Sequence, residues 1–99
     1  MRPRAVLMNI IIVGAGEIGR HLATELSRKN SISVIDSDPR LVAEMERGID
    51  AKVICNDGSS VHALAEANIG ECDLFLALTS KNPVNLMSAC MAKEMGVKT

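Results

Sequence analysis

Residues 8–21 read MNIIIVGAGEIGRH. Ile10, Ile11, Ile12 and Val13 form an unbroken β-branched run that ends directly in Gly14, Gly16 and Gly19. β-Branched side chains favour extended backbone. A continuous apolar run, rather than an alternating one, is the pattern of a strand covered on both faces. The glycines that follow mark a tight turn. Ile18, Leu22 and Leu26 then recur every four residues, the spacing of a helix with one buried stripe.

The same alternation continues along the chain. A helix is expected over 17–28 and a second strand over Ser31–Asp36, apolar at Ile32, Val34 and Ile35. Asp38 suits a helix N-cap and Pro39 the first helical turn. Leu41, Val42 and Met45 then form an apolar face, and Gly48 ends the helix. A third strand spans Lys52–Cys55. Ser59 or Ser60 caps a third helix with Val61, Leu64 and Ala65 inward. A fourth strand covers 73–78. Asn82 caps a fourth helix with Pro83 at its first position; Leu86, Met87, Cys90 and Met91 form its stripe and Gly96 closes it. The order βαβαβαβα implies parallel strands joined by right-handed crossovers. The expectation is an α/β, Rossmann-type doubly wound parallel sheet of order 3-2-1-4. Residues 1–8 read as an N-terminal extension and 9–99 as one nucleotide-binding domain. That domain is expected to be partial, because GVKT should lead into a fifth strand.

Composition narrows the function. The 99 residues are 47% hydrophobic and 23% charged, as in an ordinary globular domain. A domain of that size buries roughly 60–70% of its unfolded surface. Phe75 is the lone aromatic residue, so the core is aliphatic and no platform for base stacking exists. The net charge of −1 gives no electrostatic footprint for nucleic acid. No apolar run approaches the ~20 residues of a membrane span, and no signal-peptide pattern opens the chain, which points to the cytoplasm. Cys55, Cys72 and Cys90 lack any C-x-x-C pairing and read as reduced thiols in or near the core, with no metal-ligand spacing.

Gly14-Ala15-Gly16-Glu17-Ile18-Gly19 is a G-x-G-x-x-G motif that follows a strand and opens a helix. Asp36 ends the next strand, 22 positions after Gly14. Together these make a dinucleotide-binding fingerprint. Gly14 allows the turn, Gly16 lets a pyrophosphate approach the backbone, and Gly19 lets the helix pack on the sheet. The free N–H groups of the first helical turn face the phosphates, aided by the helix dipole. Asp36 accepts hydrogen bonds from the adenosine ribose. A 2′-phosphate ~5 Å from its carboxylate costs on the order of 3 kcal/mol per unit charge at an effective dielectric of ~20. The sign favours NAD(H) over NADP(H). Arg40 is better placed on an exposed helix face than beside such a phosphate.

Other candidates are divided between two roles. Asp57 either faces the adenine edge or makes an Asx turn before the third helix. Thr79 and Ser80, at the end of the fourth strand, either reach the second ribose or pyrophosphate or serve the local turn. Arg20 reads as a solvated helix residue. His21 and His62 are the candidates for a general base, but neither has a motif-placed partner, and both read as surface residues. Met87, Met91 and Met95 have helical spacing, which suits core or an adaptable partner surface.

From Met8 to Thr99 the chain resembles the N-terminal nucleotide-binding domains of the Trk-type potassium-uptake regulators, the RCK (regulator of K⁺ conductance) domains. The resemblance is carried by the glycine turn together with VIDSDPRLVAEM, VICNDGSSVHALAEANIGECDLFLALTS and NLMSACMAKEMGVKT. It implies a non-catalytic regulatory domain that binds NAD(H) or the adenine nucleotides ATP and ADP. It implies nucleotide contacts at Gly14, Ala15, Gly16, Glu17, Ile18, Asp36, Asp57, Thr79 and Ser80, with Gly19 completing the motif. It also implies a homodimer or larger ring on the cytoplasmic side of a membrane potassium transporter or channel. The family commonly has Gly where Asn56 stands here, and a basic residue it places after the fifth strand falls beyond Thr99. The alternatives are the cofactor half of an NAD-dependent dehydrogenase and a domain that binds S-adenosylmethionine.

Overall fold

The computed structural model describes residues 8–80, 82–97 and 99, without the side chains of Asn82 and Pro83. The expected extension before Met8 and the capping side chains at Asn82 and Pro83 lie outside that description. The strands are β1 (Asn9–Val13), β2 (Ser31–Asp36), β3 (Lys52–Cys55) and β4 (Leu74–Ala77). They alternate with helices α1 (Glu17–Leu26), α2 (Pro39–Gly48), α3 (Val61–Glu66) and α4 (Asn82–Glu94), and a 3-10 turn (Ile69–Glu71) precedes β4. All pairings are parallel and the order is β3-β2-β1-β4, as expected.

β1 is central because its side chains are apolar on both faces. Ile10 and Ile12 join Ile32, Val34 and Met45 on one side. Ile11 and Val13 join Ile35, Ile54 and Leu64 on the other. Successive strand residues point to opposite faces, so this one run seeds both cores. The first core includes Ala23 of α1 and Met45 of α2; the second includes Leu64 of α3 and Ala92 of α4. The sheet is therefore covered by helices on both sides. Its parallel strands all finish at one end, where the four βα loops gather.

Three helices differ from expectation in phase. α1 stops at Leu26, and its buried residues are Gly19 and Ala23, with Leu22 and Leu26 half-buried. Ile18 is 66% exposed. α1 packs on the sheet at a glycine, which an apolar-periodicity count does not register, so the buried positions lie one residue after the expected stripe. In α3, Ser60 is the cap, its side chain accepting from the Ala63 N–H. Ala63 and Leu64 are buried, while Val61 is 56% exposed and Ala65 is also exposed. α4 departs furthest. Ser88 and Ala92 are its buried residues, Val84, Met91 and Met95 pack beside them, and Leu86, Met87 and Cys90 are exposed. Small residues let this helix lie close to β4, and the Ser88 hydroxyl stays satisfied by donating to the Asn85 carbonyl at 3.2 Å.

Other signals hold. Asp38 caps α2 through the Arg40 N–H. Gly96 has φ +98° beyond α4, with Val97 N–H donating to the Ala92 carbonyl and Gly96 N–H to that of Lys93, the Schellman arrangement. β4 is one residue shorter at each end than expected. Cys72 is buried, but Cys55 and Cys90 are exposed, against the expectation of core or near-core thiols. Both sit at positions where the strand end or the outer helix face meets solvent. Burial pushes the Cys72 thiol above its ordinary value.

Candidate functional site

A cleft of about 590 Å³ opens at the carboxyl end of the sheet, within the size range of small-molecule sites. All four βα loops contribute to it. Eight of the ten predicted site residues line it: Gly14, Gly16, Glu17, Ile18, Asp36, Asp57, Thr79 and Ser80. Ala15 and Gly19 do not, and each has a structural task beneath the surface.

The glycine turn is built by close packing. Gly14 has φ +122°, and a Cβ on it would stand 2.8 Å from the Leu78 carbonyl carbon and oxygen. Leu78 N–H donates to the Val13 carbonyl at 2.7 Å, which brings those two chain segments together. Gly19 is buried against the Gly14 carbonyl, which any Cβ would strike. At Gly16, by contrast, no atom of the described residues beyond its own chain neighbours lies within 4 Å of where a Cβ would be. Two of the three glycines thus serve protein packing, and the middle one leaves room in the cleft.

Gly16 is also the N-cap of α1, and no side chain caps it. α2 and α3 have side-chain caps from Asp38 and Ser60. Gly16, Glu17 and Ile18 line the cleft, so the start of α1, with its first-turn N–H groups and the positive end of the helix dipole, lies at the cleft. Ile18 lines this end of the cleft and is exposed, not in the core.

Asp36 sits half-buried at the end of β2, beside the glycine turn. Its Oδ2 accepts from the Ala15 N–H at 2.7 Å and its Oδ1 from the Asp38 N–H at 2.8 Å. These two bonds fix the carboxylate and tie the β2 end to the glycine turn. Each oxygen keeps a further lone pair for a ligand hydroxyl. Ala15, predicted as a contact, is the residue that orients Asp36. Asp38 also lines the cleft; the sequence marked it only as a helix cap. Arg40 lies on the exposed side, 3.9 Å from Asp38, and Arg20 lies 3.8 Å from Glu44.

At the β3 end, Asp57 Oδ1 accepts from both the N–H and the hydroxyl of Ser59, at 2.8 and 2.7 Å. This is an Asx turn, made by a residue that also lines the cleft. Asn56 turns without positive φ; among the described residues Asn68 is the non-glycine that adopts one. Gly58 follows, buried against Val13. At the β4 end, the Thr79 hydroxyl donates to Asn85 Oδ1 at 2.6 Å. Sequence reasoning missed Asn85, because a single polar residue in a helical pattern carries no signal of what it reaches. His21 and His62 are exposed and neither lines this cleft. Among the described residues, no cluster of three or more His, Cys, Asp or Glu side chains is arranged to hold a metal ion, and no helix is long and apolar enough to cross a membrane.

Comparison with known proteins agrees with this architecture. The TrkA-N domain family matches residues 10–99. The Trk system potassium uptake protein TrkA of Halomonas elongata is 34% identical over 90 residues, covering 90% of this chain and 20% of that protein. The TrkA homolog of Archaeoglobus fulgidus is 37% identical over 93 residues, 92% of this chain and 21% of that protein. The homolog of Methanothermobacter thermautotrophicus is 34% identical over 91 residues, 91% of this chain and 42% of that protein. The chain thus spans about a fifth to two fifths of the length of these relatives. A match over nearly the whole described sheet, with the strand order and glycine turn in place, means that the chain belongs to the TrkA-N domain family.

Proposed function

We propose that this chain is a non-catalytic, NAD(H)-binding regulatory domain that works with a Trk-type potassium transporter at the cytoplasmic face of the membrane. The observation that carries the proposal is Asp36, oriented by two backbone N–H groups beside the glycine turn that opens α1. The cleft thus offers carboxylate acceptors beside a helix start that offers backbone donors. A dinucleotide presents the matching pair, ribose hydroxyls and a pyrophosphate. The open space at Gly16 fits a phosphate against the backbone.

The residues have separable tasks. Asp36 holds the adenosine ribose, with the Ala15 N–H keeping its carboxylate in place. The N–H groups of Glu17 and Ile18 face the phosphates. Asp57, Thr79 and Ser80 form the outer walls. The nucleotide supplies charge and hydroxyls to be gripped, and its occupancy is the signal. A ligand shifts a transporter only through different affinity for two states; the loops that close on it are where those states would differ. Assembly into a dimer or ring would carry the shift to the membrane partner.

Asp36 lines the cleft with its carboxylate held in place, so a 2′-phosphate there meets a negative charge. Isothermal calorimetry should show NADH binding at least about tenfold more tightly than NADPH, the equivalent of about 1.4 kcal/mol. Equal affinities would remove Asp36 as the ribose reader. ATP and ADP, titrated in parallel, rank the adenine nucleotides against NADH. Hydride transfer by a longer chain carrying this domain would instead favour the dehydrogenase alternative.

A further inference from the structure

Thr79 stands where the cleft meets α4, and its N–H, hydroxyl and carbonyl each bond to Asn85. Asn85, in the first turn of α4, accepts through Oδ1 from the Thr79 N–H at 2.9 Å and from its hydroxyl at 2.6 Å. Its Nδ2 donates to the Thr79 carbonyl at 2.9 Å. On the other side, the Leu78–Thr79 peptide lies against the glycine turn: a Cβ on Gly14 would be 3.1 Å from the Thr79 nitrogen. The β4–α4 loop is thus clamped between Gly14 and Asn85.

We infer that Asn85 is a positioning residue of the cleft, which sets the Thr79–Ser80 wall and makes α4 move with it. The inference rests on the nucleotide reading above. Both Asn85 and Thr79 are half-buried. Without the amide, Thr79 loses these three bonds and the wall is held less firmly in this shape. A ligand would then pay to order the wall on binding. That cost falls on one half of the cleft. The order β2-β1-β4 puts Asp36 and Thr79 on opposite sides of the glycine turn. A ligand that reaches only Asp36 does not need the wall, whereas one that crosses the turn does. Because Asn85 belongs to α4, the same clamp passes the state of the wall to the helix whose outer face exposes Leu86 and Met87.

The test compares the wild-type chain with Asn85→Ala and Asn85→Asp. NADH affinity is measured by calorimetry and adenosine affinity by NMR shift titration. Asn85→Ala should weaken NADH by about tenfold or more, since it removes a set of three hydrogen bonds. Adenosine should stay within about twofold, because it ends on the Asp36 side. Asn85→Asp keeps the shape and the acceptor oxygen but loses the donor to the Thr79 carbonyl. It should also weaken NADH and spare adenosine, and it serves if the alanine variant does not fold. Unchanged NADH binding in a folded variant would overturn the inference. So would equal losses for NADH and adenosine, which mark general destabilisation. Wild-type protein that binds neither compound would instead overturn the reading of the cleft, and this inference with it.

Discussion

At the scale of single residues, the three glycines of the motif are not equivalent. Gly14 combines φ +122° with backbone atoms 2.8 Å from a would-be Cβ, and those atoms belong to β4's end, not to a flexible side chain. Gly14→Ala therefore meets both conformational strain, about 1–3 kcal/mol, and overpacking of similar size. A midpoint of thermal unfolding lowered by about 10 °C or more is expected, since 1 kcal/mol shifts a domain of this size by roughly 4–8 °C. Gly16→Ala adds a methyl that meets no described residue beyond its chain neighbours within 4 Å. Its stability should stay within about 0.5 kcal/mol of wild type, while NADH affinity falls. Melting curves and NADH titrations on the two variants check both statements. If Gly16→Ala melts as low as Gly14→Ala, the middle glycine is structural too.

At the scale of elements, the strands were legible and the helix faces less so. A run such as Ile10–Ile11–Ile12–Val13 has one interpretation in an α/β chain, because both faces of a central parallel strand are buried. Cap signals also transfer directly, as at Asp38 and Gly96, because they depend on a few neighbouring atoms. Helix phase depends on which residues the sheet lets approach. α1 touches the sheet at Gly19 and α4 at Ser88 and Ala92, and none of these counts as a large apolar residue. The wall residue Asn85 was invisible for a similar reason: its partner is six residues away across a loop whose path the sequence does not specify. The α4 phase gives a direct test. Ala92 is 2% exposed and Leu86 is 69% exposed, and Ala and Leu have nearly equal helix propensity. Ala92→Leu should lower stability by about 1–3 kcal/mol through overpacking. Leu86→Ala should change it by no more than about 0.5 kcal/mol. Urea denaturation of both variants decides the matter; the reverse ranking would restore the phase expected from periodicity.

At the scale of the molecule, order is unevenly distributed across the sheet. Ile10 to Val13 of β1 are all buried, as are Ile32, Val34 and Ile35 of β2, whereas every residue of β4 is half-buried. β4 pairs with β1 on one side, and on the other the Phe75 N–H meets the Thr99 carbonyl at 2.6 Å. Amide exchange follows local opening, which is easiest where burial is least. Residues 10–13 and 32–35 should therefore exchange slowest, and 74–77 with α4 faster. The cleft joins these unequal halves, since Asp36 hangs from β2 and the Thr79 wall from β4 and α4. A nucleotide that bridges them binds the closed arrangement and not the locally opened one, so it stabilises the weaker half by mass action. NADH should slow exchange in β4 and α4 more than in β1 and β2, measured by hydrogen–deuterium exchange with and without the ligand. If the slowing is confined to the Asp36 side, the ligand does not cross the glycine turn, and α4 is not the element through which occupancy is read out.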